Sequence, residues 1–349
     1  MITQTYSRTL LTALLWAFSA AAFAEPSLDA DSTPPSWNSS RSFSDLGRPR
    51  DQLLLGIRNA EQVEFRLRHD RIATAATLHL DYTPSPALIP VLSHLRVYLN
   101  DELMGTLPIT QEQIGQRVRQ ELALDPRLLG DFNRVRIEFV GHYSDVCEDP
   151  AHSGLWLNLG RQSRVSLHEQ ALDVTGDLAW FPLPFFDERD TQQLNLPVVF
   201  TGTPTLGEQR AAGILSSYFG SLAAWRSATF PVLFDALPST QERPQPALVF
   251  ATNDRRPSFL AEHPAAEGPT VELIDHPQDR YSKLLLISGR NDDDLVAAAT
   301  ALALDRGQLR GNRVRLEQVE PPARKPYDAP NWIRTDRAVQ LSELIDYPQ

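Results

Sequence analysis

Between Gln52 and about His168 the chain alternates apolar and polar residues with a period of two, and nothing else in it constrains the fold as tightly. Val63, Phe65 and Leu67 interleave with Glu64, Arg66 and Arg68; Leu78, Leu80 and Tyr82 interleave with Thr77, His79 and Asp81. Leu95, Val97 and Leu99 against Arg96, Tyr98 and Asn100 repeat the pattern, as do Val135, Ile137 and Phe139, and then Leu155, Leu157 and Leu159. Successive side chains of a strand point to opposite faces, so each run is a half-buried strand. Asn100-Asp101-Glu102 supplies a hairpin turn, while Thr110 to Leu124 reads either as a short helix or as a strand from Val118 to Leu124. Many short strands divided by Pro, Gly and Asp turns predict an antiparallel β-sandwich over 52–180, jelly-roll being the expected kind.

Past the aromatic connector Trp180-Phe181-Pro182-Leu183-Pro184-Phe185-Phe186-Asp187 the period changes. Leu196 to Phe200 is an almost wholly apolar run, as expected of a strand covered on both faces, and Leu206 to Ala224 carries helical spacing through Ile214, Leu215, Tyr218, Phe219 and Leu222. Strand runs follow at Phe230–Phe234, Ala247–Ala251, Val271–Ile274 and Lys283–Ser288. A last helix then opens at Asn291 with three aspartates in its first turn, where anions complement the helix dipole. Strands alternating with helices predict an open α/β domain over 190–319, flavodoxin-like or ferredoxin-like. The fold class expected is therefore mixed β and α/β.

The ends read differently. Residues 1–24 combine Arg8, an apolar run from Leu10 to Phe18 and a closing Ala22-Phe23-Ala24, the pattern of a secretory signal peptide, so the mature chain is expected to begin at Glu25. Residues 25–51, rich in Ser, Pro and Asp, are expected to form a mobile leader or edge segment. From 320 onward four prolines in eleven residues make a linker, and Gln340-Leu341-Ser342-Glu343-Leu344 echoes Ser42-Phe43-Ser44-Asp45-Leu46, as if a second module were beginning.

Charge and chemistry exclude more than they identify. The chain of 349 residues carries 33 basic against 44 acidic residues, only two of them lysines, and this balance argues against nucleic acid as a partner. One cysteine, Cys147, rules out an internal disulfide framework and is expected to be a buried structural thiol, because Glu148 and Asp149 beside it disfavour the thiolate. The phosphate, zinc and hydrolase motifs are absent, and no metal, cofactor or catalytic residue is assigned. Asp145, Glu148 and Asp149 lack the order of a calcium loop, and Asp187 with Glu188 read as a turn. Thr201-Gly202-Thr203-Pro204-Thr205 leads into the first helix, where an N-capping Thr is expected rather than a phosphate at the helix N-terminus. Trp180, Phe181, Phe185 and Phe186 are expected to form an interdomain core.

Trp156 stands apart. In Leu155-Trp156-Leu157-Asn158-Leu159 the leucines claim the core face, leaving Trp156 and Asn158 together on the other. A ring turned outward beside polar groups suits a sugar, which offers an apolar face and hydroxyls; the alternative is packing under a loop or against the second domain. Trp156 and Asn158 are the candidate carbohydrate-binding residues.

Three motifs carry a resemblance: Cys147-Glu148-Asp149-Pro150-x-His152-Ser153-x-Leu155-Trp156, Phe181-Pro182-x-Pro184-Phe185-Phe186-Asp187, and Pro326-Tyr327-Asp328-Ala329-Pro330-x-Trp332. Together they resemble the periplasmic BcsB subunit family of bacterial cellulose synthases, over nearly the whole mature chain. The resemblance implies a jelly-roll carbohydrate-binding domain followed by a flavodoxin-like domain, the pair then repeated ahead of a C-terminal membrane anchor, with this chain matching the N-terminal half. It further implies a periplasmic, non-catalytic accessory subunit, associated with the inner membrane, that scaffolds the synthase catalytic subunit and guides the glucan chain, with other copies of itself as possible partners. The family is also described as binding cyclic di-GMP, for which Arg48-x-x-Asp51 and Arg290-x-x-Asp293 give no physical case here. A secreted carbohydrate-active enzyme using the acidic loop around Glu148, or a purely structural periplasmic module, are the alternative readings.

Overall fold

The computed structural model describes residues 33–174, 176–304 and 309–316. The expected signal peptide, the linker and the echo at Gln340 lie outside the described residues, as does most of the leader before Ser36. The first half is built from β1 (Ser36–Ser42), β2 (Gln52–Leu55), β3 (Arg58–Arg66), β4 (Arg71–Pro84), β5 (His94–Leu99), β6 (Glu102–Pro108), β7 (Val118–Leu124), β8 (Phe132–Val140), β9 (Trp156–Leu159) and β10 (Arg164–Ala171). One sheet runs β1-β10-β4-β9-β2 with β7 also pairing β4, and a second runs β3-β8-β5-β6. Every pairing in both sheets is antiparallel. The alternating residues named above form one core: Leu78, Leu80 and Tyr82 meet Leu95, Val97, Leu99, Val135, Ile137 and Phe139, all buried. The hairpin turn falls at Asn100 and Asp101, both with positive φ (49° and 71°), as a tight turn between right-twisted strands needs. Of the two readings of Thr110–Leu124, the strand is the one found, preceded by a single 3-10 turn.

Of the two readings of residues 25–51, the edge segment is the one found from Ser36 onward, and the mobile leader is corrected there. The leader is ordered from Ser36: β1 pairs with β10 along its length, and Phe43 is buried in the sandwich core. Its sequence hid this because the inward residues of β1 are Trp37, Ser39 and Arg41 rather than aliphatic ones. Trp37 and Arg41 point to Glu169, which is fully buried; Trp37 Nε1 donates to it at 3.0 Å.

The second half contains β11 (Leu194–Asn195), β12 (Val198–Phe200), α1 (Leu206–Ala223), β13 (Ala228–Thr229), β14 (Val232–Phe234), β15 (Ala247–Thr252), β16 (Thr270–His276), β17 (Asp279–Gly289), α2 (Asp292–Leu304) and β18 (Arg313–Arg315). Its main sheet runs β14-β12-β15-β17-β16-β18, parallel through β17, with β16 and β18 antiparallel. Apolar side chains cover both faces, α1 and α2 on one and Leu233, Leu237, Phe259 and Leu260 on the other, which accounts for the continuous apolar strands. Phe185 and Phe186 are buried in this core, and Phe181 packs on Tyr218 and Phe219 with ring centroids 5.7 and 5.8 Å away. Trp180 does not join them. It is 61% exposed and stacks with His69, because Leu178 takes the inward position of the same 3-10 turn.

Candidate functional site

Leu155, Leu157 and Leu159 are fully buried, so the backbone of β9 turns Trp156 and Asn158 to the outer face of the larger sheet, where both are half-buried. That strand is fixed on both sides. The Trp156 carbonyl accepts from the Ser85 amide at 3.0 Å, and the Leu155 carbonyl from the Gly56 amide at 2.9 Å. In register, Trp156 lies opposite Leu55, and Asn158 lies between Leu53 and Thr83. Leu53 and Leu55 are 56% and 53% exposed, so the ring is the centre of a small apolar patch rather than an isolated aromatic.

The same face continues along β4 as a hydrogen-bonding surface. Asp81 accepts a two-pronged bond from Arg117 (Nε and Nη2, both 2.7 Å), and Arg117 Nη2 also donates to Gln162 Oε1 at 2.7 Å. The Arg117 fork holds the Asp81 carboxyl below the usual carboxylate range. His79 Nδ1 lies 2.8 Å from Glu121 Oε1. Together His79, Asp81, Arg119, Glu121, Gln162 and Arg164 line a shallow recess of about 520 Å³. Thr77, Ser166 and Ser40 carry the polar row to the sheet edge. Chemically, the surface offers apolar contact at one end and fixed donors and acceptors at the other. Sequence reasoning named Trp156 and Asn158 as site residues and did not name Leu53, Leu55, Asp81 or Arg117 as such; the alternation places each on a face, while only strand pairing brings them together.

The other sequence candidates are used internally. Glu148 accepts from the Tyr143 and Ser144 amides (2.6 and 3.0 Å) and lies 2.7 Å from His142 Nδ1. These bonds, the Ser144 amide first and then His142, hold its pKa below the ordinary glutamate value. Glu148 is thus a charged hub for its own loop, and Asp149 turns away to accept from the Ala151 amide. Cys147 is exposed, contrary to the buried thiol expected: the loop folds around Glu148, leaving Val146 and Cys147 at its tip. Asp187 accepts from the His69 and Arg189 amides, so it ties the connector to the sandwich. Thr205 caps α1 with Glu208 in a reciprocal pair, and fully buried Glu208 also takes Arg255. Arg48 is spent on Glu61 and the Gln62 carbonyl, and Arg290 on Asp294.

Residues 36–171 match the family model described as cellulose synthase BcsB, first CBM domain, and residues 177–316 match cellulose synthase BcsB, first FD domain. A protein of Escherichia coli (strain K12) named cyclic di-GMP-binding protein is 49% identical over 317 residues, covering 90% of this chain and 40% of that one. A protein of the same name from Xanthomonas axonopodis pv. citri is 42% identical over 309 residues, 87% of this chain and 39% of that one. A putative cellulose synthase 2 of Komagataeibacter xylinus is 30% identical over 305 residues, 87% of this chain and 20% of that one. The chain thus spans about 40% of the length of the two cyclic di-GMP-binding proteins.

Proposed function

The chain belongs to the cellulose synthase BcsB family, carrying its first CBM and first FD domains, and on that premise we propose that it is a non-catalytic accessory module of the synthase whose sandwich guides the emerging β-glucan. In this reading the protein works in the periplasm beside the inner-membrane catalytic subunit, which the α/β half helps to scaffold. The two-sheet sandwich is read as a jelly-roll. The parallel order β14-β12-β15-β17 is second-first-third-fourth in sequence, which supports a flavodoxin-like reading of the α/β half.

One observation carries the glucan assignment: Trp156 and Asn158 share an outer sheet face with exposed Leu53 and Leu55, next to the Asp81–Arg117–Gln162 network. A pyranose ring lays its C–H face on the indole while its hydroxyls meet fixed polar groups. Isothermal titration with cello-oligosaccharides tests it. Trp156→Ala is expected to weaken binding at least about tenfold, the typical order for truncating an aromatic anchor; equal affinity for both proteins would remove this site. The name of the Escherichia coli and Xanthomonas relatives makes cyclic di-GMP a family-level proposal. Neither Arg-x-x-Asp segment supports it in this chain, since Arg48 and Arg290 are already paired.

A further inference from the structure

The outer face of the smaller sheet has a different chemistry from the Trp156 face on the other side of the sandwich. Reading outward positions across β3, β8 and β5, it presents Arg58, Arg66, Arg134, Arg136 and Arg96 against Glu64 and Glu138. Arg134 lies 3.7 Å from Glu64 and 4.0 Å from Asp101 at the hairpin tip, both longer than a hydrogen bond. A basic excess on one face runs against a chain whose formal charge is −11.

These guanidiniums are held in place before any partner arrives. Glu138 forms the floor, 3% exposed, with Arg58 and Arg136 at 2.9 and 3.1 Å from Oε2 and Arg96 at 3.6 Å from Oε1. One carboxylate therefore anchors three cations, and its Oε1 makes no hydrogen bond among the described residues. Arg136 also lies flat on Tyr98, 3.8 Å from the ring centroid, and Arg66 lies over Phe132 at 5.9 Å. Each guanidinium has five N–H donors, more than these contacts use, in the fork geometry that matches a carboxylate, and Arg58, Arg96 and Arg134 keep 65, 38 and 39% of their side chains exposed.

We propose that this face docks an acidic polypeptide segment, with Arg58, Arg96, Arg134 and Arg136 taking its carboxylates. The charge complementarity is local and opposite in sign to the rest of the chain. Spacing favours a polypeptide over a scattered anion: Arg134 and Arg136 stand two residues apart on one strand, about 7 Å, the repeat at which an extended peptide presents every second side chain. The proposal does not rest on glucan binding, because the residues are different and the sheet is the opposite one.

The test is fluorescence anisotropy of the full chain with a labelled peptide of alternating Glu and Thr, at low and at physiological ionic strength. Binding is expected to fall as salt rises, and Arg58→Glu/Arg134→Glu is expected to bind at least about tenfold more weakly. A control with the same charge change in the α/β half, Arg210→Glu/Arg243→Glu, is expected to stay within about twofold of wild type. Glu138→Gln keeps the floor's hydrogen-bonding shape, removes its charge and is expected to bind more tightly, which guards against a double variant that loses its fold. Equal loss in the control, or no peptide binding while polygalacturonate or inorganic phosphate binds, would overturn the proposal.

Discussion

Arg68 Nη1 donates to Asp190 Oδ2 at 3.1 Å, a bond that crosses from the turn between β3 and β4 to the segment opening the α/β half. The same guanidinium grips Asp70 through Nε and Nη2 and donates to the Pro184 carbonyl at 2.9 Å, with only 10% of its side chain exposed. Arg226 closes the cluster from the end of α1 by donating to the Asp187 and Asp190 carbonyls. Taking away the central cation leaves Asp70 and Asp190 as like charges in a water-poor junction. Arg68→Met should therefore cost on the order of 3–5 kcal/mol in urea unfolding, the range for breaking a buried pair by deleting one partner. A cost below about 1 kcal/mol would reduce the cluster to a surface ion pair.

Acid should loosen the same junction. Burial alone would raise the Asp70 pKa, but Arg68 and then Arg71 outweigh it and pull it to about 2. A carboxylate whose pKa is depressed by folding adds stability above its unfolded value near 4 and loses it as pH falls toward the folded value. The contribution, on the order of 2 kcal/mol, should be complete at neutral pH and disappear between about pH 4 and pH 2. Asp70→Asn should be less stable than wild type at pH 7, with the gap closing in that window; a gap independent of pH would show that ionisation is not what Asp70 contributes.

Gly289 is set by space. A Cβ there would stand 2.4 Å from the Cβ of Asp294, whose carboxylate accepts from the Arg290 amide at 2.9 Å while its own amide donates to Asn291 Oδ1 at 3.1 Å at the start of α2. Gly289→Ala must push α2 away from the end of β17 and should cost about 1–3 kcal/mol, as overpacking does. Thermal unfolding of this variant beside Gly213→Ala, where a Cβ meets nothing within 4 Å, separates crowding from the general effect of losing a glycine.

Where alternation was aliphatic, the sequence was sufficient to place strands and their buried faces, as with Leu78, Leu80 and Tyr82. A capping Thr before α1 was legible for a similar reason, since an N-cap acts on the first turn alone, while its reciprocal partner Glu208 was not named. What stayed hidden depends on long-range pairing. β1 turns Trp37, Ser39 and Arg41 inward because Glu169, far along the chain, needs partners, and no local pattern announces that. The exposure of Cys147 was missed for the opposite reason: the neighbouring acids were weighed for their effect on the thiol, whereas Glu148 organises the loop and displaces its neighbour to the tip. At the candidate site, Trp156 and Asn158 followed from period two, while Leu53, Leu55 and Arg117 required the sheet order.

The N-terminus of α1 bears on whether the α/β half handles phosphate, as sheets of this kind often do at a strand end. Here the position is filled from within: Glu208, fully buried, accepts from the Thr205 amide at 2.7 Å, and Arg255 Nε reaches its other oxygen at 3.1 Å. The carboxylate already occupies the positive end of the dipole, and Arg255 neutralises it, so an incoming anion meets a filled and balanced site. Inorganic phosphate should raise the unfolding temperature of the wild type no more than chloride at equal ionic strength. Glu208→Ala removes the resident anion while keeping Arg255, and phosphate should then stabilise the variant measurably more than chloride. Arg255→Ala gives the converse, an unpaired buried Glu208, and should cost on the order of 2–3 kcal/mol. If phosphate stabilised the wild type as strongly as Glu208→Ala, the internal carboxylate would not be what closes this end of the sheet.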